Sequence, residues 1–186
     1  AIALLRPLVD KGLLPADFPF SIHAVSGYSG GGKMMIADYE RGAAPAFEAY
    51  ALDLEHKHVP EIECYARLAR RPIFAPSVGN FAQGMLVCVP LFLDNLPLKP
   101  KGADLKAALL AHYTGSAFVK VMPAETSGRT EPQSLNGTDD LELRVFANDA
   151  RGHAILVAKL DNLGKGASGA ALQNIRLMLR HDETRA

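Results

Sequence analysis

The chain has no tryptophan, only two cysteines and no excess of either charge. Two thiols, Cys64 and Cys88, build no disulfide framework, so a reduced, cytoplasmic protein with both thiols buried is expected. Twenty basic residues balance twenty acidic ones over 186 positions. That balance excludes a strong field of one sign, and with it electrostatic binding to nucleic acid or a membrane surface. No apolar run is long enough to span a bilayer, and Pro90 interrupts the longest, Met85 to Leu93. No secretory leader pattern opens the sequence, and no Gly-x-Gly-x-x-Gly stands at its head. The chain carries no Gly-Lys-Ser/Thr ending of an NTPase loop. A hydrophobic content of 48% is enough for one well-buried core.

Periodicity sets out the elements. Leu4, Leu5, Leu8 and Val9 share a helical face ended by Gly12, with Pro7 either kinking the helix or marking its first turn. The pattern starts at once, with neither Met nor a capping residue, and reads as though cut inside a helix. Phe18 to Val25 reads as a strand, Ser26 to Lys33 as a flexible loop and Met34 to Tyr39 as a short helix. Pro60 suits the first turn of a helix running on to Leu68–Ala69. Ile73–Ser77 and Leu86–Leu93 look like strands, with Pro90 placing the second at an edge or a bulge. Leu105, Ala108, Leu109 and His112 mark a helix, and Phe118–Val121 a strand. The segment 123–140, rich in Thr, Ser, Gly, Asn and Asp, is a long surface excursion. Leu141 to Asn148 alternates as a half-buried strand, and His153 to Leu160 is a more apolar one. Intermixed strands and helices predict one α+β, or mixed α/β, domain over residues 1–186.

Three places could carry chemistry. Asp161 to Asn174 joins a glycine-rich turn to an amphipathic helix marked by Ala171, Leu172, Ile175, Met178 and Leu179. Small residues before a helix N-terminus let a ligand approach unpaired N–H groups; a close packing turn without ligand accounts for them equally. His56-x-His58-x-x-Glu61 could hold an acid/base histidine, a zinc ion with Cys64 as fourth ligand, or two ordinary surface histidines. Gly30–Gly32 in the Ser26–Lys33 loop would be costly to order unless the loop wraps a ligand or needs positive φ. Lys33 adds a cation suited to phosphate or carboxylate.

Four islands in order resemble N-acetyl-γ-glutamyl-phosphate reductase. They are Ala24 to Lys33, His56 to Ile62, Phe74 to Val87 and Asp161 to Met178. The triple-glycine loop looks like the shorter of that family's two sequence types. The resemblance implies a largely antiparallel mixed sheet with helices on one face, following a Rossmann domain whose Gly-Cys-Tyr-x-Thr-Gly nucleophile segment is absent here. The chain would then be the catalytic and dimerisation domain, with 161–186 packing on the missing domain. It implies NADP, bound mainly by the missing domain, and a homo-oligomer, dimer or tetramer. By the same resemblance His56 is the acid/base catalyst, and Ser26, Gly27, Lys33, His58 and Glu61 line the substrate side. Asn162, Gly164, Gly169 and Gln173 would approach the nicotinamide end, with no metal required. Alternatives are a related acyl-phosphate reductase of the aspartate-semialdehyde or lysine-pathway kind, a non-catalytic oligomerisation module, and a zinc domain. His56, Lys33 and the start of the last helix are expected to meet in one cleft facing the N-terminus.

Overall fold

The computed structural model describes residues 1–183, with side chains of the last helix as far as Leu179. Seven strands form one sheet in the order β2-β3-β1-β4-β7-β6-β5. They are β1 Ser21–Gly27, β2 Phe47–Ala49, β3 Ile73–Gly79, β4 Met85–Phe92, β5 Val119–Val121, β6 Leu141–Asn148 and β7 His153–Leu160. β1 and β3 run parallel, as do β5 and β6; the other pairings are antiparallel. The expected mixed, largely antiparallel sheet is what the chain forms.

Alternation divides the sheet into two faces. Ile22, Ala24, Phe74, Val87, Val89, Leu91, Leu143, Val145, Leu156 and Ala158 belong to the core cluster. Helices α1 Ile2–Asp10, α3 Val59–Tyr65 and α4 Gly102–Tyr113 add Leu4, Leu5, Leu8, Val59, Ile62, Leu105 and Leu109 to it. The intervening positions, His23, Cys88, Pro90, Phe92, Phe146, Ile155 and Val157, face the other way. Phe92 and Ile155 keep 60% and 45% of their surface exposed. Helix α2 Gly32–Glu40 follows a 3₁₀ turn at Tyr28–Gly31, and α5 Gly169–Glu183 follows a π-helical turn at Gly164–Ser168.

Proline placement has a local explanation in each case. Pro7 lies deep in α1, not in its first turn, and leaves the Ala3 carbonyl without its i+4 donor. The Tyr113 hydroxyl from α4 donates to that carbonyl at 2.8 Å. Pro90 is neither in an edge strand nor at a bulge, because β4 is central and pairs continuously with β7. The β1 ladder ends at the His23–Cys88 pair, so the flank of β4 beside Pro90 has no partner strand there.

Several boundaries move. The strand expected from Phe18 starts at Ser21, and the helix expected to reach Ala69 ends at Tyr65, followed by Arg67 at φ 57°. β2 carried no periodic signal, all three of its residues being exposed. Cys64 is exposed and Cys88 only half-buried, contrary to the expectation of two buried thiols. No helix among the described residues is long and apolar enough to cross a membrane.

Candidate active site

The glycine-rich loop after β1 is a fixed turn, not the flexible loop its composition suggests. Gly27, Tyr28 and Ser29 donate backbone N–H bonds to the carbonyls of Gly84, Phe81 and Ala82. A Cβ on Gly27 would lie 2.6 Å from the Ala82 backbone, so only glycine permits that approach. Of the three consecutive glycines only Gly32 has positive φ, at 78°. Ser26 turns its hydroxyl to the Gly27 carbonyl. Lys33 is exposed in the first turn of α2.

Asp161 and Asn162 gather the loops at this end of the sheet. Asp161 accepts hydrogen bonds from the Leu163 and Gly137 amides and from Gln83. Burial pushes its carboxyl up, but these donors and the Gly164 amide outweigh burial and hold it below the usual carboxylate range. Asn162 accepts from the Gly84 amide at 2.7 Å and donates to the Ser29 hydroxyl at 2.9 Å. Its amide is thus committed within the protein and ties the first glycine loop to the last one. Sequence reasoning singled out Asn162 but not Ser29, Gln83 or Asp161; an Asp-Asn pair closing a strand before a glycine turn was the available signal.

Gly164, Gly166 and Gly169 stand between β7 and α5 with dinucleotide-fingerprint spacing. Packing explains two of them. A Cβ on Gly164 would meet the Thr138 carbonyl at 2.4 Å, and one on Gly169 the Asp139 carboxylate at 1.7 Å. Lys165 lies over the Phe118 ring and donates to Gln173 Oε1. Burial lowers its pKa, against an opposing pull from Asp139. Gln173 Nε2 is buried without an acceptor among the described residues.

His56 sits at the entrance to α3. Arg71 bonds the Leu54 carbonyl and the Glu55 carboxylate, and holds a bend in which Leu54 takes φ 65°. The imidazole packs edge-on against Phe74, ring centres 5.0 Å apart, and lies 4.9 Å from His58 and 5.7 Å from Tyr50. Its Nδ1 accepts the His58 backbone N–H at 3.2 Å. Burial, then the charges of His58 and Lys57, push its pKa below the usual histidine value. Phe74 and Tyr50, which frame the ring, carried no sequence signal.

A hollow of about 260 Å³ opens beside it, lined by Ala1, Ile2, His58, Glu61, Phe74 and Gly166 among others. Ala1, His58, Glu61 and the turn before α5 therefore meet here, whereas the expected convergence of His56 and Lys33 on the same cleft is not seen. His56 itself is not in its lining and borders it only through Phe74 and His58, and Lys33, Ser26, Gly27 and Asn162 are not in its lining either. Cys64 is exposed on α3, and no His, Cys, Asp or Glu trio converges among the described residues. A larger hollow of about 430 Å³ lies on the open sheet face, lined by Cys88, Phe146, His153, Ile155 and Val157 among others. It holds none of the clustered polar groups, and its strand residues Cys88, Phe146, Ile155 and Val157 face away from the core that contains Phe74, against which His56 packs.

A mixed seven-stranded sheet with helices packed on one face is a fold this chain shares with semialdehyde-dehydrogenase-type proteins. Residues 1–162 match the family described as "Semialdehyde dehydrogenase, dimerisation domain", and the chain belongs to it. It is 57% identical over 185 residues to a Chelativorans sp. (strain BNC1) protein named N-acetyl-gamma-glutamyl-phosphate reductase, and 54% identical over 187 residues to its Brucella ovis namesake. In both comparisons 96% of the chain is covered, and it spans 60% of the relative's length. In fold it is similar to a probable aspartate-semialdehyde dehydrogenase from Pseudomonas aeruginosa (TM-score 0.67, 18% identity, 97% of this chain and 60% of that one). Aspartate semialdehyde dehydrogenase II from Vibrio cholerae is another neighbour (TM-score 0.64, 15% identity, 96% and 59%).

Proposed function

We propose that this chain is the catalytic and dimerisation part of an NADP-dependent N-acetyl-γ-glutamyl-phosphate reductase, working in the cytoplasm on the arginine pathway. The observation that carries the reading is the shared hollow. It places Ala1, where the family's nucleophile segment would enter, across from His58 and Glu61, with the His56 ring alongside. The identity to reductases of that name supports the substrate.

In this reading a cysteine thiolate supplied by the preceding segment attacks the acyl phosphate, and phosphate leaves. The thioester so formed is reduced to the aldehyde, N-acetylglutamate 5-semialdehyde. NADPH, when bound, supplies the hydride. His56 serves as the acid/base group at the reacting carbonyl, with a neutral ring at physiological pH. His58 and Glu61 line the substrate side of the hollow. Ser26 and Gly27 shape the adjoining loop. Lys33, exposed and without a carboxylate partner among the described residues, is the candidate cation for the phosphate. The turn before α5 reaches the hollow through Gly166, and Gln173 Nε2, a buried donor in want of an acceptor though outside the hollow's lining, is the candidate partner for a carboxamide-bearing group. Gly164 and Gly169 set that turn, and Asn162 holds it to Ser29.

The test is turnover. In the full-length enzyme His56→Asn is expected to lower kcat by about 10²–10⁴-fold, with N-acetyl-γ-glutamyl phosphate preferred over aspartyl phosphate. The 186-residue chain alone, having no Gly-Cys-Tyr-x-Thr-Gly nucleophile, should reduce neither. Unchanged kcat in the variant, or turnover by the isolated chain, overturns the reading.

A further inference from the structure

We propose that the main-chain N–H of His58 fixes the tautomer of His56, so that the resting imidazole offers Nε2–H as a hydrogen-bond donor and acts as a base only once Nδ1 releases that amide. The functional consequence rests on His56 being the reacting imidazole; the tautomer itself does not. A ring nitrogen that accepts a hydrogen bond must present its lone pair. His58 N–H reaches Nδ1 at 3.2 Å, so the proton of the neutral ring belongs on Nε2.

The donor is well fixed. His58 has helical φ/ψ of −82° and −10° at the start of α3, and the Val59 amide closes the same turn onto the His56 carbonyl at 3.0 Å. The ring is braced by Phe74, Tyr50 and the His58 imidazole. Burial first, then the neighbouring His58 and Lys57, disfavours the imidazolium. No donor or acceptor among the described residues is bonded to Nε2.

A base needs the lone pair that the amide already occupies. A donor at Nε2 needs no rearrangement and suits a carbonyl oxygen that gains negative charge. His56 therefore meets its substrate first as a hydrogen-bond donor. It can take up a proton only by giving up the His58 amide bond. His58 is a positioning residue, and it acts through its backbone, not its side chain.

The experiment needs only the 186-residue chain. Long-range ¹H–¹⁵N correlation spectra of the ¹⁵N-labelled protein at neutral pH, with His56 signals assigned by their loss in His56→Asn, report which nitrogen is protonated. The expected pattern is a protonated Nε2 and a lone-pair Nδ1. His58→Ala keeps the amide and should keep that pattern. His58→Pro removes the N–H at a φ close to the proline range, and should lower the Nε2–H to Nδ1–H ratio about fivefold, the factor one ordinary net hydrogen bond contributes. A protonated Nδ1 or an even mixture in the unsubstituted chain overturns the proposal. So does an unchanged ratio in a folded His58→Pro protein. If His58→Pro does not fold, the unsubstituted spectrum alone decides. Full turnover of His56→Asn in the complete enzyme would sink the catalytic reading and leave the tautomer untouched.

Discussion

Asp161 is 1% exposed, and neutral donors, not a cation, hold it in place. Replacing one oxygen with an NH₂ group in Asp161→Asn sets a donor against donors. The expected cost is about 2–4 kcal/mol at neutral pH, the sum of one or two charged hydrogen bonds and an unsatisfied amide. The carboxyl is held below its ordinary value near 3.9. Its contribution is therefore present above about pH 4 and is lost as pH falls through the folded-state pKa. Urea denaturation at pH 7 and near pH 3 checks this: the gap between the two proteins should narrow at the lower pH. The same residues mark where sequence reasoning stopped. Asn162 was chosen for a ligand and serves Gly84 and Ser29. Partners 78 and 133 positions away leave no local pattern.

Among the elements, the β6–β7 pair was readable because β6 alternates in sequence, β7 is a nearly continuous apolar run, and the two are neighbours in sequence. β2 was not, since three exposed residues bury no face. Nor was the rigidity of the Ser26–Gly32 loop, which depends on three carbonyls of the 81–84 turn. α1 falls between these cases. Its face was evident, whereas its tolerance of Pro7 depends on α4. In Tyr113→Phe the Ala3 carbonyl loses its donor, and a loss of about 1–3 kcal/mol is expected. Burial pushes the Tyr113 phenol up to about 12. Its contribution is thus whole below about pH 10, the ordinary tyrosine value, and is lost as pH rises toward 12. Thermal unfolding from pH 7 to 11 should show the two proteins converging at the alkaline end; a constant gap would remove the hydroxyl from this account.

The whole molecule presents two apolar surfaces of different character. On α5, Leu172, Ile175, Met178 and Leu179 are each more than half exposed, an apolar helix face with no partner among the described residues. The outward sheet face exposes Phe92 and Ile155, with Phe146 and Ile155 lining the larger hollow. Backed by the core, it is the surface proposed to meet a second copy, in keeping with the family's dimerisation domain. A twofold contact doubles every change, so one charge near its centre should separate the subunits. Ile155 is such a centre, paired with Pro90 on one side and Phe146 on the other. Ile155→Asp is expected to convert a dimer into a folded monomer with a melting temperature lowered by a few degrees. Met178→Glu on α5 should leave the dimer intact and reduce only higher association. Sedimentation equilibrium over a hundredfold concentration range distinguishes the two. A dimer that survives Ile155→Asp but dissociates with Met178→Glu would place the subunit contact on α5 and leave the open sheet face without a partner.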